Sequence, residues 1–313
     1  MNKITIRLIA ILLFTLTALI FTSCGNIATV PGAQPGIVYI YDREGFLIAL
    51  PAQRDSIISI GPANTEILVA LGFGDSIIQT DIHSADIDGI RPGISELEFF
   101  DLDLEYIISL NPDVIFITGM TRVPGNADPL GAVSAAGISV VYMPSSTSIA
   151  DIKEDIRFMA YVLGADSVGE GIIADMNAEI EHIRAISETI TERRSVYFEV
   201  GAAPTMVSFG TGTFLNEMIE LAGAVNIFAG QEGWMVVADE VLIEMNPDVI
   251  LTSVFYIADP VSEIMNRPGW HAITAVQNND VFVIDTNSSS RANHNIVYAL
   301  WEIARAVYPE LFL

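Results

Sequence analysis

Glu105–Gly119 reads EYIISLNPDVIFITG, and Glu240–Val254 reads EVLIEMNPDVILTSV. Each stretch opens on a glutamate, runs six residues to a proline preceded by asparagine, and continues Asp-Val-Ile. In the first copy Leu104, Ile107, Ile108 and Leu110 fall at helical spacing. The proline predicts the end of that helix, because it disfavours helical geometry in the residue before it. DVIFIT is then a continuous apolar run, the pattern of a strand buried on both faces of a parallel sheet. A short helix feeding a buried strand, written twice, points to two related α/β units.

The flanking sequence extends the same plan. Residues 37–51 predict a hairpin with Asp42 to Gly45 at its turn. IISIGPANTEILVALGFGDSII predicts a strand at Ile57–Ile60, a turn at Gly61-Pro62 and a helix from about Asn64 to Leu71. Gly72 and Gly74 stop that helix before a strand near Ile77. DPLGAVSAAGISVVYM adds a helix and a strand at Val140–Met143. From Ile149 the apolar period is helical through Ile183, with a break near Gly164 and no strand. SVYFEV restarts the alternation, and TFLNEMIELAGAVNIF repeats the order of helix, small-residue stop and strand seen after Ile60. Short helix–proline–strand joints are common, but two separate units in matching order are not expected by chance. The expected fold is α/β: two Rossmann-like lobes, residues 37–147 and 191–313, joined by a single long helix over 148–190, with a ligand cleft between them.

The chain of 313 residues carries 14 Lys+Arg against 39 Asp+Glu, a formal net charge of −25. That balance excludes a nucleic-acid partner, which needs clustered cations, and disfavours lying on an anionic lipid face. Lys3 and Arg7 precede the apolar run LIAILLFTLTALIF, which predicts a signal peptide over residues 1–23. Cys24 is the sole cysteine and has no internal disulfide partner. Phe21-Thr22-Ser23-Cys24 resembles a lipobox, with Phe21 where leucine is usual, so Cys24 is the expected lipidation site; an ordinary signal peptide with an incidental thiol is the alternative. Residues 24–36 then read as a tether.

The motifs DREGFLIALP, GPANTEILVALG, LEYIISLNPDVI and RPGWHAITAVQNNDVFVID, together with Cys24, resemble the substrate-binding proteins of ABC importers for iron–siderophore complexes, haem and cobalamin. The resemblance implies an extracytoplasmic, lipid-anchored binding protein with limited hinge motion. Its partners would be a dimeric permease with ATPase subunits, its ligand an iron or cobalt chelate, and it would hold no intrinsic cofactor. It also implies that one glutamate on each lobe docks onto permease arginines, which Glu105 and Glu240 match by their spacing to the following proline. On spacing alone both glutamates are explained by the helix dipole, worth a few tenths of a kcal/mol, as are Asp101, Asp103 and Asp239. Phe99 and Trp234 each lie six residues before those glutamates, where the resemblance places aromatic ligand contacts; Phe99 packing on its own lobe is an equal alternative. His83, Arg122 and Arg291 are candidate ligand contacts in loops expected near the cleft, although a surface histidine is an equal alternative for His83 and each arginine can instead neutralise a neighbouring carboxylate. The scarcity of cations leans toward a weakly charged chelate or a corrinoid.

The competing reading is a free zinc- or manganese-binding protein, which needs about four converging ligands. The chain has four histidines, His83, His182, His271 and His294, with His182 on the connecting helix. Catalysis is not expected: no nucleophile elbow, Walker loop or His-Glu-x-x-His occurs, and SFGTGTF lacks the strand–helix register of a dinucleotide loop.

Overall fold

The computed structural model describes residues 28, 30, 34–85, 87–123, 125 and 128–313. The expected signal segment and Cys24 lie outside the described residues. The chain enters through an antiparallel hairpin, β1 (Ile37–Tyr41) and β2 (Leu47–Pro51). Asp42 caps its turn, accepting from the Glu44 and Phe46 amides at 2.9 and 2.8 Å. Next come β3 (Ile57–Ile60), α1 (Pro62–Ala70), β4 (Ile77–Asp81), β5 (Glu96–Leu97), α2 (Leu104–Leu110), β6 (Val114–Thr118), α3 (Gly131–Ala135) and β7 (Ser139–Met143). They form a parallel five-stranded sheet in the order β5-β4-β3-β6-β7.

The second half repeats the design. It runs β8 (Ser195–Glu199), β9 (Met206–Phe209), α6 (Phe214–Leu221), β10 (Val225–Asn226), β11 (Trp234–Val237), α7 (Asp239–Met245), β12 (Val249–Thr252), α8 (Pro260–Met265), α9 (Thr274–Asn278), β13 (Val281–Val283), α10 (Thr286–Ser290) and α11 (Ile296–Val307). Its parallel sheet has the order β10-β8-β12-β13. Strand for strand, this matches β4-β3-β6-β7. Pairing of β9 with β11, antiparallel and separate from that sheet, has no counterpart among the described residues of the first half and was not anticipated from the sequence.

The repeated sequence has a repeated structural task. Asn111 and Asn246 both end their helices in the left-handed region, at φ 48° and 49°. The helix therefore stops through an αL cap, which asparagine tolerates better than most side chains, and not through the extended geometry that proline usually imposes on the residue before it. Asp113 then accepts from the Asp55 and Ser56 amides at 2.9 and 3.0 Å. Its counterpart Asp248 accepts from the Ser195 amide and hydroxyl at 2.8 and 2.7 Å. Each aspartate thus ties the entrance of its strand to the neighbouring central strand and sets the register.

The linking segment divides completely at Gly164 (φ 69°) into α4 (Ile149–Leu163) and α5 (Asp166–Ser187). Ser148 and Asp151 form a capping box at the start of α4. The helices press together closely: a Cβ on Gly169 would stand 2.6 Å from that of Ala160. A single hydrophobic core runs from Ile57 and Phe116 through Ile152, Ile156 and Ile180 to Phe198, Leu251 and Leu300. It covers one face of both sheets and the linker between them. Two smaller cores, around Ile117 and around Trp270, cover the opposite faces. Among the described residues no helix is long and apolar enough to cross a membrane.

Candidate ligand-binding cleft

The motif beginning at Ser59 builds one wall of a cleft. Gly61 adopts φ 112° and lies so close to Thr118 that a Cβ would come within 3.2 Å of it, so both its backbone angle and its packing call for glycine. Pro62 starts α1. The Asn64 amide donates to the Ile60 carbonyl at 3.1 Å, and the Thr65 and Ser59 hydroxyls meet at 2.8 Å. Asp81, fully buried at the end of β4, accepts from the Gly61 amide (2.7 Å), the His83 amide (2.9 Å) and the Ser84 hydroxyl (2.7 Å). One carboxylate therefore fixes both the turn after β3 and the loop after β4, where parallel strands present ligand-binding loops.

The cavity between the lobes measures about 1010 Å³. The first lobe lines it from the carboxyl ends of β3, β4, β6 and β7 with Gly61, Asn64, His83, Phe99, Met120 and Met143. The second lobe contributes Phe214, Trp234, Phe255 and the segment around Asp285, Asn287 and Arg291. The walls are thus mainly aromatic and aliphatic with scattered amides and hydroxyls, a surface suited to a large guest with flat apolar faces.

Phe99, Trp234, His83 and Arg291 all line this cavity. Trp234 is 58% exposed, and its ring stands edge-on to Phe209 at 5.8 Å across the β9–β11 pair. Phe99 packs into its own lobe's core, 8% exposed, and also lines the cavity, with His83 edge-on at 5.6 Å. Phe255, 77% exposed, was not read from the sequence. The signal was there: Glu105 and Glu240 are 135 positions apart, Phe99 and Trp234 share that offset, and so do Met120 and Phe255.

Arg122 is not in the cleft. After the turn at Gly119–Thr121 it pairs with Glu44 of the hairpin and lies over the Tyr142 ring at 3.7 Å. It borders a separate cavity of about 610 Å³ with Phe46, Asp128 and Tyr142. Carboxylate neutralisation, the alternative offered for it, describes its environment. Arg291 does face the cleft but is paired with Glu66 of α1. Asp155 borders the cleft from α4. Burial pushes its carboxyl up to about 6, opposed by the Ser146 hydroxyl and by Arg43 at 3.2 Å.

Glu105 and Glu240 are each the second residue of their helices, exposed, in α2 and α7. These helices lead into β6 and β12, whose carboxyl ends face the cavity. A helix antiparallel to the strand it feeds starts at the strand's carboxyl end, so both glutamates belong to the cleft-bearing end of the molecule. The two starts are held differently. Asp103 caps α2 through the Tyr106 amide at 2.9 Å. Ala238 gives α7 no side-chain cap, and Asp239 is gripped instead by the Trp270 indole at 2.6 Å.

The histidines are dispersed: His182 stacks edge-on with Trp301 at 5.2 Å on α5, His271 is exposed after Trp270, and His294 borders a side pocket. Burial lowers the pKa of His294 against the opposing influence of Glu66. Among the described residues no three His, Cys, Asp or Glu side chains gather in a way that can hold a metal ion.

The sequence model of the periplasmic binding protein family matches residues 57–287. An uncharacterised ABC transporter substrate-binding lipoprotein of Bacillus subtilis (strain 168) is 27% identical over 305 residues, 95% of this chain and 96% of its own length. A vitamin B12-binding protein of Vibrio cholerae serotype O1 is 25% identical over 266 residues, covering 82% and 90%. Among solved structures, a possible iron-binding periplasmic solute-binding protein from Staphylococcus epidermidis superposes with a TM-score of 0.73 at 25% identity, covering 82% of this chain and 100% of that one.

Proposed function

The chain belongs to the periplasmic binding protein family, and on that premise we propose that it is the extracytoplasmic substrate-binding subunit of an ABC importer, held at the membrane by acylated Cys24. Its cargo is a bulky metal chelate: an iron–siderophore, haem or a cobalamin-like corrinoid. The observation that carries this reading is the cavity of about 1010 Å³ rimmed by rings from equivalent positions of both lobes. A bare cation has no use for such a volume, and a small polar solute would leave Trp234 and Phe255 unsatisfied by apolar contact. The relatives named above, a transporter lipoprotein and a vitamin B12 binder, support the same class.

Delivery requires a permease, and Glu105 and Glu240 are the proposed contacts. Two exposed carboxylates on repeated helices suit a two-fold partner that offers paired arginines. Cargo capture is tested by titrating the mature chain with cyanocobalamin, haemin and a ferric trihydroxamate while following tryptophan emission. Trp234 lines the cavity, whereas Trp270 is fully buried elsewhere, so Trp234→Phe identifies the responding indole. Quenching by none of the chelates refutes the proposal. For delivery, the double reversal Glu105→Lys/Glu240→Lys is expected to abolish uptake and leave chelate affinity intact; loss of affinity would place these side chains in the cargo site instead.

A further inference from the structure

Glu66 has an unusual set of partners. It projects from α1 of the first lobe and receives three donors from one short loop of the second. Arg291 pairs with Oε1, while the Asn293 and Asn295 amides reach Oε2 at 2.6 and 2.7 Å. The loop is shaped for this: Asn293 is fully buried, and its side-chain Oδ1 accepts from the Asn295 backbone amide at 2.7 Å. The Glu66 and Arg291 side chains are 11% and 14% exposed. Arg291 is the one Lys or Arg among the described residues that line the large cavity.

We propose that Glu66 sets the charge selectivity of the cleft: by holding Arg291 in an ion pair it withdraws the one Lys or Arg on the described cavity wall, so the site selects neutral or cationic chelates over anionic ones. This rests on reading the cavity as a chelate site. The remaining charged wall residues are acidic. Asp155 has Arg43 beside it at 3.2 Å, and Asp285 is exposed and spends one oxygen on capping α10 through the Ser288 amide at 2.7 Å. An anionic guest would have to draw Arg291 away, leaving a largely buried carboxylate on two amides alone, and breaking such a pair is costly. A guest rimmed with amides instead finds Asn64, Asn287, Ser145 and Ser290 on the wall. Glu66 is therefore a positioning residue, acting through Arg291.

The probes are cyanocobalamin and a neutral ferric trihydroxamate on one side, and a ferric tris-catecholate and haemin on the other. Dissociation constants are measured for the wild type, Glu66→Gln and Glu66→Gln/Arg291→Gln, with melting curves to show that each is folded. The wild type is expected to favour the neutral chelates by at least about tenfold. Glu66→Gln should move the anionic-to-neutral affinity ratio toward the anionic guests by at least about tenfold, and the added Arg291→Gln should cancel the shift. Wild-type preference for anionic chelates, or an unchanged ratio in folded Glu66→Gln, overturns the proposal. Should Glu66→Gln fail to fold, wild-type affinity for the tris-catecholate decides: screened repulsion makes it rise with salt, and a fall overturns the idea. Binding of no chelate at any salt removes the cleft reading itself, an outcome distinct from binding without charge preference.

Discussion

At the residue scale the cleft was legible where a side chain inherits its place from the repeat, and illegible where a turn redirects it. Phe99 and Trp234 are found by counting back from Glu105 and Glu240, and Phe255 by applying the same offset to Met120. Arg122 could not be placed that way, because the turn after β6 hands it to Glu44 and Tyr142. Phe255→Ala is expected to weaken chelate binding about tenfold, the loss of roughly 1.5 kcal/mol or more of apolar burial. Its melting temperature should stay put, since the ring is mostly exposed without a guest. Paired titrations and melting curves check both halves of that statement. Asp155 gives a pH signature. Its folded pKa, about 6, lies above the unfolded value near 3.8. The folded state therefore holds the proton more tightly, so this contribution to stability is full below about pH 4 and is lost as pH rises through 6. Asp155→Asn should remove that decline: denaturant titrations from pH 4 to 7.5 are expected to show the variant gaining on the wild type as pH rises, by up to about 3 kcal/mol.

At the element scale the parallel strands were readable because each is a short unbroken apolar run with both faces covered; Val249–Thr252 is buried at every position. The β9–β11 pair was not, because Trp234–Val237 is only four residues long, follows Gly233 directly and buries Val237 alone. The break at Gly164 was visible, but what it produces, two helices packed together in place of one rod, depends on the fit of Gly169 against Ala160, which no periodicity reports. The twin αL caps allow a test of the repeat. Asn111→Gly should be neutral within a few tenths of a kcal/mol, whereas Asn111→Ala should cost roughly 1 kcal/mol for a left-handed alanine. Asn246→Gly is not expected to be neutral, because the Asn246 side-chain Oδ1 also accepts from the Thr274 backbone amide at 2.7 Å; its loss should cost about 1 kcal/mol. Thermal melts of the three variants measure the difference.

At the scale of the whole molecule, two sheets with matching strand order share one core through α4 and α5. The duplication was readable in the sequence; the shared core was not, since it depends on which face of each linker helix turns inward. A core common to both lobes resists bending, and Glu66 straps them together near the cavity. Binding is therefore expected to leave the backbone within about 1 Å of its free form. Small-angle scattering with and without a bound chelate should show superimposable profiles, and a clear contraction would mean that the lobes close over the guest.

Among the described residues the polypeptide passes from one lobe to the other a single time, through α4 and α5. Each lobe is consequently an uninterrupted run of sequence, and synthesis builds them in turn. The first sheet can be complete while β8 is still unmade, but Trp234, Phe255 and the strap residues Arg291, Asn293 and Asn295 all arrive afterwards. A chain folded only as far as α5 thus has half a wall and nothing to close it against.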